Sequence, residues 1–255
     1  MFEELFSNPV IIIALIVLII VIIVGIFKFI KGLILNTANS ISMSPFLKAV
    51  SKGNTEEFLS LLELDNNIDK KNTFGDNALI LAVINGHIDI LNILLNKGLD
   101  INFKGSHGQT ALIKSIIKNK RDITNILIDN GANLNLYDSD GFSALVYAVV
   151  NNDIDLVNKL IDSNSKVTSG ALLTSISFNF TEIAALLIKH GADVNAIGSF
   201  GDSIIMKAIR KKNIEIVKLL LEKNVDLTVR NENQITAFHL ANKEIAKLLH
   251  AVKSK

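Results

Sequence analysis

The chain has 255 residues, a net charge of +1 and no cysteine. A balanced charge argues against a nucleic-acid-binding domain, which carries a strongly basic surface. The lack of cysteine excludes disulfides, thiolate nucleophiles and cysteine metal sites, while leaving the redox compartment open.

Residues 1–8 form a short acidic N-terminus, with Glu3 and Glu4 and no lysine or arginine. Pro9 opens an apolar block, and the run from Val10 to Phe27 is uncharged and nearly all Ile, Val and Leu. As a helix, about 18 such residues reach about 27 Å, enough for a slightly thin hydrocarbon core. Their summed insertion free energy is about −5 to −10 kcal/mol. Residues 9–30 are therefore predicted as one transmembrane helix. A cleaved signal peptide wants a basic start and small residues at its exit, whereas this exit carries Phe27, Lys28, Phe29 and Lys31. A core helix of a soluble array would be amphipathic, and this run is apolar all round. Lys28 and Lys31 follow the segment and no base precedes it, so the positive-inside rule places the following chain in the cytoplasm, as a single-pass membrane protein. Residues 31–43 read as a brief linker.

From residue 44 a pattern recurs, most legible over residues 75–102. Asn77 is placed to cap a helix over residues 78–85, which Gly86 ends in the left-handed conformation. A second helix over 88–96 carries Ile90, Leu91, Leu94 and Leu95 and stops at Gly98. The repeating piece is thus a helical hairpin. Stepping by 33 residues, Leu79 is matched at Phe46, Leu112 and Leu145, then, after one shorter step, at Leu172, Ile205 and Phe238. A small residue keeps pace at Ala49, Ala82, Ser115, Ala148, Ser175, Ala208 and Ala241. A close helix neighbour requires that, since a larger side chain would push the next backbone away.

Residues 44–64 hold a first repeat, read as an N-terminal cap, and the repeats run to residue 252, ahead of a basic tail at 253–255. First helices end at Gly86, Asn119, Asn152 and Asn179, and asparagine is the residue after glycine that best tolerates the left-handed conformation. Lys212 breaks this rule, and Asn213 is expected to take its role. Between Asn164 and Leu172 about six residues and the turn glycine are missing relative to the regular step, which predicts a weak or bent junction. Acids outnumber bases from Gly53 to Asp162, and bases outnumber acids from Gly201 onward.

Chemistry is sparse. His87 opens a second helix with no carboxylate or second histidine at motif spacing, and a structural role is expected. His107 at a turn tip offers at most one metal ligand, where zinc needs three or four. The Asp138–Gly141 run has a calcium-loop start, but the twelfth position of such a loop is Tyr147 rather than an acid, so a turn is expected. Lys207, Arg210, Lys211 and Lys212 read as a solvated helix end. No phosphate loop, dinucleotide fingerprint, zinc helix or serine elbow occurs. No catalysis, cofactor, metal or small-molecule substrate is expected.

The stretch over 75–102, with "GQTALIKS", "GFSALVYA", "KHGADVN" and "QITAFHLA", resembles the ankyrin repeat family over about residues 44–250. Two features depart from that family. Its proline after the cap is alanine at Ala78, Ala111, Ala144 and Ala237, and its histidine survives only at His239. The resemblance implies an all-α ankyrin-repeat solenoid of about seven stacked helix-turn-helix repeats, and a function in recognition. Together with the apolar run at 9–30, it gives the expectation of a membrane-tethered scaffold that binds a protein partner, or alternatively a stabilising partner of one membrane or periplasmic enzyme complex. Carried onto this chain, the family's contact positions include Phe74, Asp76, His107, Gln109, Asp140, Phe142, Phe200 and Asp202.

Overall fold

The structure is a computed structural model that describes residues 43–64 and 68–253. The predicted transmembrane helix at 9–30 and most of the linker lie outside the described residues. Among the described residues no helix is long and apolar enough to cross a membrane. The chain divides into two compact parts, one through Leu94 and one from Leu95.

Fourteen α-helices form seven pairs among the described residues. The first part holds α1 (Pro45–Lys52), α2 (Thr55–Leu64), α3 (Ala78–Asn85) and most of α4 (Ile88–Asn96). The hairpin over 78–96 has the helix bounds its sequence predicts, because its signals are local. The Asn77 side chain accepts from Ile80 N at 3.0 Å, and Gly86 sits at φ 86. Helix α1 packs on both α2 and α3. His87 has the structural role expected of it, with Nε2 3.1 Å from the Ser51 carbonyl.

The second part holds α5 (Ala111–Ile117), α6 (Arg121–Asp129), α7 (Ala144–Val150), α8 (Ile154–Asp162), α9 (Ser169–Ser177), α10 (Thr181–Lys189), α11 (Ile204–Arg210), α12 (Ile214–Glu222), α13 (Ala237–Leu240) and α14 (Lys243–Lys253). First helices stack on first helices, from α5 through α7, α9 and α11 to α13, and the second helices α8, α10, α12 and α14 stack likewise. The matched apolar positions lie in the core up to the sixth repeat, with Leu145, Leu172 and Ile205 fully buried, and Phe238 of the last repeat is half-buried. Ser115 and Ser175 keep the small position by turning their hydroxyls back onto the Leu112 and Leu172 carbonyls, at 2.7 and 2.8 Å. That satisfies a polar group with no access to water.

In the third to sixth repeats the turn after the first helix takes a left-handed residue whatever the side chain. Asn119, Asn152 and Asn179 take it, at φ 52, 53 and 62. In the sixth repeat Lys212 itself takes it at φ 56, and Asn213 instead caps α12 by accepting from Ile216 N at 2.9 Å. The expectation that Asn213 would replace Lys212 in the turn is thus corrected.

Ahead of most first helices the chain makes a small projecting finger. Isolated β-bridges close the fingers at Lys71 with Asn77, Tyr137 with Ser143, and Ile197 with Ser203. Backbone bonds from Gly105 to the Gln109 carbonyl and from Asn231 to the Ile235 carbonyl, each 3.0 Å, close two more. Repeat five forms none among the described residues. Its chain passes from Ser165 to Thr168, which caps α9 by accepting from Ala171 N at 3.3 Å. Helix α9 nonetheless packs on both α7 and α11. The shortening therefore removes the finger and leaves the helix stack in place.

Candidate functional site

Two fingers of the second part, those opened by Asp138 and Asn231, are built on one polar plan. Asp138 opens the fourth finger, and its Oδ1 accepts from Asp140 N and Phe142 N at 3.0 and 2.9 Å, holding the turn as an Asx motif. Its Oδ2 accepts the Tyr147 hydroxyl at 2.6 Å and faces the Gln109 amide nitrogen at 3.4 Å. The turn expected at Asp138–Gly141 is thus tied to its own helix and to the preceding finger. Asn231 repeats the plan with Asn233 N and Ile235 N, and passes its own amide to Asp202 at 2.7 Å. Asp202 also accepts from Arg210 Nε at 2.9 Å, so the basic run at Lys207 to Lys212 is not a single solvated cluster.

Burial alone would raise the Asp138 carboxyl, but the bonds from Tyr147, Phe142 N, Gln109 and Asp140 N outweigh it and hold the group below the usual carboxylate range. Tyr147 is pushed up to about 12 by burial and by the Asp138 carboxylate it bonds. Folding lowers Asp138, so its contribution is complete above about pH 4 and fades as pH falls through the lowered value. Folding raises Tyr147, so its contribution is complete below about pH 10 and lost as pH rises towards about 12. Tyr147→Phe should cost about 1 to 2 kcal/mol at neutral pH by removing a bond to a charged acceptor. Urea unfolding from pH 7 to pH 3 should show the gap between the two proteins closing on the acid side. A gap that is constant with pH would mean the hydroxyl acts through packing alone.

The eight contact positions separate by burial. In the first part Phe74 is exposed, while Asp76 is buried. In the second, Gln109 and Asp202 are 9% and 8% exposed, each drawn onto the finger that follows it. The expectation that Asp76, Gln109 and Asp202 present their side chains outward is corrected, since each is packed away from solvent. His107 and Asp140 are exposed at their turn tips. Phe142 is 43% exposed with its ring edge-on to Tyr147 at 5.9 Å, and Phe200 is 75% exposed. Phe200 also sits at φ 62, a conformation that costs a bulky side chain about 1 to 2 kcal/mol. His107 takes the same conformation at the same place in the third finger, at φ 57.

Sequence reasoning passed over Tyr137 and Ile197, which are exposed beside these tips, because neither falls on a contact position of the repeat. It also missed Phe178, exposed at the far end of α9 and stacked on Phe180 at 5.5 Å. Open clefts of about 500 Å³ line that edge at Ile117, Asn151 and Ile154 and at Asn179, Phe180 and Ile183, with mostly polar walls. Among the described residues no three His, Asp or Glu side chains converge as a metal-ion site.

A family model described as "Ankyrin repeats (3 copies)" matches residues 18–105, 98–171 and 172–254. This chain belongs to the ankyrin repeat family. An ankyrin repeat protein of Acanthamoeba polyphaga mimivirus is 35% identical over 69 residues, 24% of this chain and 12% of that protein. One of fowlpox virus (strain NVSL) is 39% identical over 62 residues, 24% of this chain and 14% of that protein. The chain thus spans about an eighth of the length of the curated relatives it matches. Among solved structures it is similar to the ankyrin repeat domain of Bcl-3, a unique member of the IkappaB protein family, with a TM-score of 0.71 and 24% identity over 82% of this chain and 99% of that one. The human ASB11 ankyrin repeat domain gives 0.62 and 22% over 82% and 97%. At these identities the likeness establishes the ankyrin fold alone.

Loss of the family histidine has a visible result in this ankyrin array. Thr236 still meets His239, with Oγ1 and Nδ1 2.7 Å apart in a capping box. Ser143 and Ser203 hold the same cap position with Val146 and Met206 three residues on, and their buried hydroxyls find no partner. Those caps are correspondingly weaker.

Proposed function

We propose that this protein is a membrane-tethered ankyrin scaffold that binds a protein partner along the finger edge of its second part. The observation that carries the reading is the pair of exposed phenylalanines, Phe142 and Phe200, on rigidly tied turns. Ankyrin repeats are interaction modules, and buried aromatic anchors dominate interface energies. The tether rests on the apolar run at residues 9–30, and the cytoplasmic placement on Lys28 and Lys31. Catalysis has no part in this reading.

The test combines topology with capture. External protease added to intact cells should spare the repeats, and cross-linking in native membranes should recover one partner in stoichiometric amount. Digestion of the repeats while cytoplasmic controls survive would reverse the orientation and favour a role beside an enzyme complex on the other side. Absence of any stoichiometric partner would remove the scaffold reading.

A further inference from the structure

Within the second part the fourth finger covers the third and the seventh covers the sixth, and repeat five breaks that row. The Ser139 N–H donates to the His107 carbonyl at 2.9 Å, and the Glu232 N–H to the Phe200 carbonyl at 3.2 Å. Asp140 matches His107 and Phe200 in sequence register, though without their left-handed backbone, and among the described residues no backbone N–H donates to its carbonyl. Gly108 and Gly201 are roofed by the next finger, since a Cβ there would meet Ser139 N at 3.0 Å and Glu232 N at 3.1 Å. Gly141, at the same position, has nothing within 4 Å. Gln109 and Asp202 are buried against the following finger, whereas Phe142, in their register, stays 43% exposed. The side beyond the gap offers an exposed Ile197, and Gly198 with Leu173 and the Lys207 stem against it.

We infer that the gap left by the missing finger is a docking notch for a hairpin turn of a partner protein, anchored on Phe142 and on the Asp140 carbonyl. This deepens the scaffold reading and rests on it. The occupant is defined by what the row lacks: about six residues, two strands that fill about 10 Å at sheet spacing. It brings a backbone N–H for Asp140 and an apolar side chain for Phe142, as in edge-strand addition. Residues 1–42 contain no Asn, Asp or Gly followed three places on by glycine, the pattern of the fingers that open at Gly105, Asp138 and Gly198. The fingers of a second copy's second part are already bonded pairwise, through Ser139 to His107 and Glu232 to Phe200, so lending one would break its own row.

The test uses the full chain in lipid nanodiscs and a fluorescein-labelled, cyclised peptide of residues 136–144, the finger whose Ser139 N–H makes this bond in the native row. Anisotropy should report binding with Kd on the order of 100 µM. Phe142→Ala should weaken it at least tenfold. A finger of six residues inserted between Val167 and Thr168 should abolish it with helicity unchanged. No binding at millimolar peptide, or binding that survives both changes, overturns the proposal. So does wild-type self-association that the inserted finger removes, since the occupant would then be a second copy. If the peptide fails while Phe200 still supports partner capture, the notch falls and the scaffold reading stands.

Discussion

Gly108→Ala should destabilise the protein by about 2 to 4 kcal/mol, while Gly141→Ala, the same change at the same place in the next finger, should cost only about 1 kcal/mol. Both glycines are left-handed, at φ 66 and φ 79, so both variants bear the conformational penalty of an L side chain there. The difference is steric. At Gly108 the new methyl would meet Ser139 Oγ at 2.8 Å and Ser139 N at 3.0 Å. The hydroxyl can swing aside, but the backbone nitrogen is held by its bond to the His107 carbonyl and by the Asp138 turn beside it. Relief would therefore require shifting the whole fourth finger. At Gly141 the methyl enters open space, with nothing within 4 Å. Urea unfolding of the two variants against wild type measures the difference. Equal losses would show that the conformational term decides both and that the covering finger contributes nothing.

Replacing Phe142 and Phe200 together with alanine should weaken capture of the protein partner at least tenfold while leaving helicity and Tm nearly unchanged. Interface aromatics that become buried on binding often contribute about 2 kcal/mol each, so a tenfold loss is a lower expectation for two. In the free protein little depends on them. Phe200 projects from a turn tip, and the aromatic contact of Phe142 is edge-on to Tyr147, worth about 0.5 to 1.5 kcal/mol. Capture per folded molecule, compared with the melting curve of the same preparation, separates the two roles. Unaltered capture with a lowered Tm would assign both rings to the core.

Sequence alone determined the parts whose causes are local. The hairpin over 78–96 was legible to its end residues, because a capping asparagine, a 3.6-residue apolar period and a left-handed glycine each act within a few residues of themselves. The same holds for the small position along the first helices, which is fully buried at one spacing in the first six repeats, and for the loss of about six residues before Leu172. Tertiary structure decided everything that depends on the neighbouring repeat. Gln109, Phe142 and Asp202 are equivalent in sequence register, yet two are buried and one is exposed, because the next finger is present beside the first and third and absent beside the second. Likewise, Lys212 takes the left-handed turn while Asn213 gives its amide to Asn179 and Thr181 of the repeat before, at 2.8 and 2.7 Å. A side chain's burial in a stacked array is set by residues about 30 positions away, and no local signal carries that information.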